Sequence, residues 1–331
     1  MSAFREILQQ RAAARRRRIV FPEGGDPRTL EAVARLQLGG LLDPVVIGDP
    51  AAVRRAVATH GADPDAVEVI EPERDARLPE LVERLAERRA GKGWTADTAR
   101  EHLASPLVYG AMLVTSGYVH GSVAGAINTT GDVIRAAIWC VGLAPGITTI
   151  SSAFYMVVPS FRGTDAAEVL TFTDAAVVPD PDARQLADIA AAAASARRSI
   201  IGDEPRVAFL SFSTRGSAES ASVLKVREAV ALFRAEHPDV AADGELQADA
   251  AVIEAIGTRK APGSAIRGDA NVLVFPNLDA GNIGYKLVQR MGHADAIGPL
   301  LQGLALPCSD LSRGASAADI VDTACMVALQ A

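Results

Sequence analysis

Two hydrophobic patterns alternate along the first half of the chain. Short runs of Val and Ile, closed by Pro, Gly or Asp, read as buried strands. Longer stretches with apolar residues every three or four positions read as amphipathic helices. The pattern predicts helices at residues 4–14, 28–38, 51–60, 78–89 and 95–103, and strands at 18–22, 41–47 and 67–70. Residues 107–115 are apolar without a clear period, a helix or a strand; 118–126 hold a short strand broken by glycines. Asn128 to Asp132 then starts a helix that carries Arg135. A break at Gly142-Leu143-Ala144-Pro145-Gly146 marks a domain boundary. Beyond it, 148–158 and 169–172 are apolar; strands are expected at 175–178, 206–212 and 270–275, and helices at 183–198, 221–236 and 283–291. Polar loops follow several strands, at 23–26, 213–217 and 276–282. Such alternation predicts an α/β protein with mostly parallel sheets covered by helices. Its loops collect at the C-terminal sheet edges, where open sheets bind ligands.

Size and composition narrow this picture. A chain of 331 residues exceeds the usual single domain. Aromatic residues are only 5%, so small aliphatic side chains must fill the cores. No apolar run is long enough for a membrane span, and the basic N-terminus lacks a signal core. The Arg15 to Arg18 cluster is read as the solvated end of a helix, because the chain is net acidic at −7; neither nucleic acid nor membrane is expected as a partner. Cys140, Cys308 and Cys325 have neither disulfide nor metal spacing, and five histidines are scattered, so no metal is expected. No GxGxxG or Walker A loop follows a strand.

The densest candidate chemistry is GPLLQGLALPCSDLSRGASAADI, Gly298 to Ile320. A guanidinium, Arg313, beside a hydroxyl, Ser312, in a turn feeding a helix start suits an oxyanion or phosphate. Asp319 brings a carboxylate into the first turn of that helix. The same residues have a structural reading, in which Ser316 caps the helix and Asp319 closes a capping box. Arg88, Arg89 and Lys92 form a second basic cluster, also readable as complementing a helix end.

This stretch resembles the C-terminal signature of the phosphate acetyl/butyryl transferase family, through Gly298-Pro299, Gln302-Gly303, Pro307, Asp310-Leu311-Ser312-Arg313-Gly314, Ser316 and Asp319-Ile320. PNLDAGNIGYKL (276–287), GELQADA (244–250) and AVVPDPDARQLAD (176–188) extend the resemblance over nearly the whole chain. Cys308-Ser309, Gly131 and Ala136 depart from the commonest family residues. The resemblance implies two α/β/α domains with an interdomain cleft, similar to the isocitrate/isopropylmalate dehydrogenase-like fold. The first would comprise residues 1–143 plus 298–331, the second 144–297. It implies a cytoplasmic homodimer moving an acetyl group reversibly between coenzyme A and inorganic phosphate. Acetyl-CoA, CoA, phosphate and acetyl phosphate would be substrates, with no tightly bound cofactor. Ser312, Arg313 and Asp319 would be catalytic; Arg89, Arg135 and Arg313 would bind CoA or phosphate.

Under this expectation the CoA sulfur attacks the acetyl carbon while Asp319 takes the thiol proton. A carboxylate is a weak base for a thiol: ordinary values of about 3.9 and about 8.5 leave an uphill transfer of about 6 kcal/mol. Transfer must then be coupled to carbon–sulfur bond formation or helped by cations. Cys308 as an acyl-cysteine nucleophile is a second route. Alternatives for the chain are a butyryl or other short-chain phosphate acyltransferase, a dehydrogenase of the related fold, and a non-catalytic CoA-binding protein.

Overall fold

The computed structural model describes residues 3–164 and 166–331. The chain forms two compact units. One runs to Pro145 and resumes at Leu304; the other is Gly146–Gly303.

In the first unit, α1 (Ala3–Arg15) leads into β1 (Arg18–Phe21), α2 (Pro27–Leu38), β2 (Asp43–Ile47), α3 (Pro50–Thr59) and β3 (Glu68–Ile70). Then follow α4 (Leu78–Arg88), α5 (Ala96–Leu103), α6 (Pro106–Thr115), β4 (Gly121–Ala124) and α7 (Thr130–Cys140). Residues Leu107 to Val114 of α6 are all buried. A helix enclosed on every side has no polar face, which is why its period was ambiguous.

The second unit contains β5 (Ser151–Val158), β6 (Glu168–Thr173), α8 (Ala183–Ile200), β7 (Arg206–Leu210), α9 (Ala221–Glu236) and β8 (Ala241–Leu246). It continues with α10 (Ala248–Val252), α11 (Glu254–Lys260), β9 (Val272–Val274), α12 (Leu278–Met291) and β10 (Asp295–Gln302). The chain then returns to the first unit with β11 (Cys308–Asp310) and α13 (Ala317–Gln330).

The first sheet has the order β11-β4-β1-β2-β3, and every pair is parallel. The second has the order β10-β5-β6-β9-β7-β8, with β10–β5 and β5–β6 antiparallel. Helix α13 is buried at eleven positions and packs on α1, α2 and β4. A Cβ on Gly121 of β4 would lie 2.4 Å from Val327 Cγ1, so glycine lets helix and sheet approach. The arginine cluster proves more than a solvated helix end. Arg15 Nη1 donates to Leu329 O at 2.7 Å and Arg17 Nη2 to Ala331 O at 3.1 Å, complementing the C-terminus of α13.

Four sequence expectations are corrected. Residues 175–178 form no strand. They wrap the buried Asp174 carboxylate, which accepts hydrogen bonds from the amides of Ala176 (3.1 Å), Val177 (3.2 Å) and Val178 (2.5 Å). An apolar run there serves a carboxylate cage rather than a ladder. The expected loop 276–282 is largely helix, because Asn277 caps α12 through a 3.0 Å bond from the Ala280 amide. Strand β8 was not foreseen, since its GEL run carries an acidic residue inward: Glu245 is buried against Arg227, Ser213 and the Gly216 amide. Finally, residues 298–303, expected in the first domain, belong to the second unit, where Leu300, Leu301 and Gln302 pair with β5.

Candidate active site

The site grows from the C-terminal edge of the first sheet. After β1 the chain turns through Pro22-Glu23-Gly24-Gly25-Asp26 into α2. Glu23 is only 4% exposed. Its carboxylate accepts from the amides of Ala126 (2.7 Å), Ile127 (3.1 Å) and Asn128 (2.9 Å) and from Asn128 Nδ2 (2.8 Å). It therefore holds the loop between β4 and α7. Asp26 caps α2 and pairs with Arg28, Nη2 to Oδ2 at 2.7 Å. Burial opposes ionisation of Asp26, but the Arg28 guanidinium and two amides outweigh it and hold its pKa below the ordinary value.

Arg28 ties three segments together. Nη2 donates to Ala126 O at 2.7 Å; Nη1 donates to Arg313 O at 2.8 Å and to Ala315 O at 2.9 Å. The Ser312–Ala315 turn is thereby fixed to the start of α2 and to the loop after β4. Within that turn, the Ala315 amide donates to Ser312 O at 2.8 Å, and the Gly314 amide to Ser312 Oγ at 3.2 Å. Both Ser312 and Arg313 are exposed. The Arg313 guanidinium has no hydrogen-bond partner among the described residues, in contrast to Arg28.

Asp319 takes the capping role and remains next to the turn. Its Oδ2 accepts from the Ser316 amide (2.9 Å) and hydroxyl (2.8 Å), while Ser316 Oγ accepts from the Asp319 amide (3.3 Å). The two readings of this residue are compatible, since the capping box engages Oδ2 and leaves Oδ1 without a partner among the described residues.

Helix α7 carries the other expected arginine. Arg135 pairs with Asp132 at 2.7 Å, both partly exposed. One turn further, Trp139 lies on the same face. Its indole meets Trp94 and His102 edge-on, with centroids at 5.1 and 4.9 Å. The Arg89 guanidinium sits 5.3 Å from the Trp94 ring and 5.9 Å from Trp139, and its Nε is buried without a partner. Arg88 instead donates to Val141 O beyond α7. Thus Ser312, Arg313 and Asp319 cluster at one turn, and Arg135 and Arg89 follow α7. Thr130 and Trp139, near its ends, are about 14 Å apart along the axis at helical rise.

Cys308 faces the apolar core beside Cys140 and is 5% exposed. Burial pushes its thiol pKa strongly upward. An acyl-cysteine route needs an accessible thiolate, so the geometry opposes it. Sequence reasoning missed Glu23, Arg28 and Thr130. The only signal was the polar loop after β1, which fitted a ligand loop but named no partner.

Among the described residues no helix is long and apolar enough to cross a membrane, and no cluster of His, Cys, Asp and Glu could hold a metal ion.

Comparison with known proteins agrees on one family. The family described as Phosphate acetyl/butaryl transferase matches residues 3–328. A phosphate acetyltransferase from Thermoanaerobacterium thermosaccharolyticum is 44% identical, covering 100% of both chains. A phosphotransacetylase structure from Streptococcus pyogenes is 41% identical, with TM-score 0.92, covering 100% of this chain and 99% of that one. The EutD phosphotransacetylase from Staphylococcus aureus is 40% identical, with TM-score 0.90, over 99% and 98% of the two chains.

Proposed function

The chain belongs to the phosphate acetyl/butyryl transferase family and catalyses phosphate acetyl transfer, and on that premise we propose how its residues move an acetyl group reversibly between coenzyme A and inorganic phosphate. Arg313 binds the phosphoryl group of acetyl phosphate and offsets the charge on the departing phosphate. The supporting observation is its exposed guanidinium, without a partner among the described residues, on a turn whose backbone Arg28 holds in place. Ser312 donates a hydrogen bond to the acetyl carbonyl oxygen as negative charge develops there. Asp319 accepts the thiol proton as the carbon–sulfur bond forms. Its position, fixed by the capping box, keeps one oxygen available beside the turn.

Arg135 and Arg89 contact phosphates of CoA lying along α7. The Arg135 guanidinium would be shared between Asp132 and the ligand phosphate, whereas Arg89 is already oriented by two indoles. No cofactor is needed, since both acyl carriers are substrates. We place the chain in the cytoplasm as a homodimer. Its cysteines are unpaired. One face of α12 leaves Ile283, Leu287 and Met291 exposed at 57%, 51% and 75%.

The test is release of free thiol from acetyl-CoA on addition of inorganic phosphate. The wild type should show phosphate-dependent release, and Arg313→Ala should lose about 100-fold or more in kcat/KM. CoA binding without any release would instead favour a binding-only protein. Faster turnover of butyryl than acetyl phosphate would favour the longer-chain enzyme.

A further inference from the structure

Asp310 ends β11 two residues before Ser312. It is 2% exposed. Oδ2 accepts a 2.6 Å hydrogen bond from the hydroxyl of Thr130, the first residue of α7. Oδ1 is buried with no partner among the described residues. The loop after β4 crosses directly over it: Gly125 has φ +105°, and a Cβ there would lie 2.2 Å from Oδ1. The next amide, Leu311, donates to Ala124 O at 2.8 Å. Asp310 therefore stands where the Ser312–Arg313 turn, the loop after β4 and the helix carrying Arg135 meet.

We infer that ionised Asp310 is a positioning residue that fastens the start of α7 to the Ser312–Arg313 turn, so that protonating it loosens the site and lowers turnover. A carboxylate accepts the Thr130 hydroxyl bond more strongly than a carboxylic acid does. Because Oδ1 is unpartnered among the described residues, the Thr130 hydroxyl is the hydrogen bond through which the charge acts, and protonation weakens it even as it relieves the cost of a buried charge.

Burial pushes the Asp310 pKa up, the Thr130 hydroxyl holds it down, the Glu23 charge raises it and the Leu311 amide lowers it, leaving it at about 6. The elements packed on β11 are β4, α7 and α13. Strand β4 carries no titratable group. Helix α7 carries the Asp132–Arg135 pair, and α13 carries Asp319 in its capping box and Asp322 paired with Arg5. Glu23 and Arg28 hold the surrounding loops, and Cys308 shares the strand. Glu23 is the group whose charge raises the pKa.

This inference rests on the acetyl-transfer reading. The experiment measures kcat of phosphate-dependent thiol release between pH 5 and 8 for wild type, Asp310→Asn, Thr130→Val and Thr130→Ser. Wild type should lose activity below about pH 6. Asp310→Asn should be about 10-fold slower at pH 7.5 and flat with pH, resembling wild type at pH 5, with KM for CoA little changed. Thr130→Val removes the hydroxyl that the carboxylate grips, so it should be slowed at pH 7.5 and nearly flat with pH, like Asp310→Asn, and Thr130→Ser should restore both the rate and the acid limb.

Thermal melting supplies a readout without turnover. A carboxyl raised in the folded state makes the wild type lose stability as pH rises from the ordinary Asp value to about 6, and the loss is complete above it. The Tm of Asp310→Asn relative to wild type should therefore climb across that window and then level. An acid limb that persists unchanged in Asp310→Asn overturns the inference alone. No thiol release by wild type at any pH overturns the functional reading and this inference with it.

Discussion

Single residues show how differently two arginines of one site are used. Arg28 directs its guanidinium at three backbone carbonyls and the Asp26 carboxylate. Arg313 leaves its guanidinium exposed and, among the described residues, unpaired. The first holds the turn that presents the second. Arg28→Met should therefore lower kcat by about 10–100-fold, since hydrogen bonds from charged groups contribute about 1.5–3 kcal/mol each and this one is partly exposed. Arg28→Lys should recover little, because a single ammonium cannot span the three carbonyls. Steady-state kinetics with a melting control decide this; an unchanged kcat in Arg28→Met would mean the turn is held by other contacts. The sequence named Arg313 readily, as a lone cation among small residues. Arg28 stayed hidden because its partners lie about 100 and about 285 positions away, and such separations leave no local pattern.

Among the elements, the departures from expectation share a cause. Local pattern reads which residues avoid water, not which polar group they enclose. Residues 175–178 look like a strand and form a cage for Asp174; β8 looks too polar for a strand and buries Glu245 against Arg227. Helix α12 lies against that same cage. Asn282 Nδ2 donates to Ala175 O at 3.0 Å, and a Cβ on Gly281 would come within 2.2 Å of Asp174 O. Gly281→Ala must therefore displace α12 or the cage. Overpacking of this kind costs about 1–3 kcal/mol, and a chain this long loses about 2–4 °C in Tm per kcal/mol. A calorimetric Tm equal to wild type would refute the close approach. Enclosure also explains α6, where burial on all sides erased the period that marks a helix.

At the scale of the whole molecule, α12 presents an apolar stripe of Ile283, Leu287 and Met291. A homodimer that covers this stripe predicts that Leu287→Asp lowers the oligomeric state at micromolar concentration, as read by sedimentation velocity. A wild type that sediments as a monomer would remove the dimer from the proposal. The first unit is built from two distant parts of the chain, and α13 with eleven buried residues completes its core. Its Ser312–Arg313 turn thus arrives on the last segment of the chain and docks on loops made near its beginning.

What the sequence determined by itself was the alternation of strands and helices, the mostly parallel sheets, and the Ser312, Arg313 and Asp319 cluster, with Arg89 and Arg135 reached through resemblance. These are properties of short stretches, where hydrophobic period, capping residues and contiguous motifs carry the information. Tertiary structure decided the rest. It assigned 298–303 to the second unit, placed Glu23 and Arg28 under the turn, and buried Asp310 with one oxygen unpartnered among the described residues. The reason is physical: desolvation and hydrogen-bond satisfaction are set by residues that meet only after the chain has closed over them.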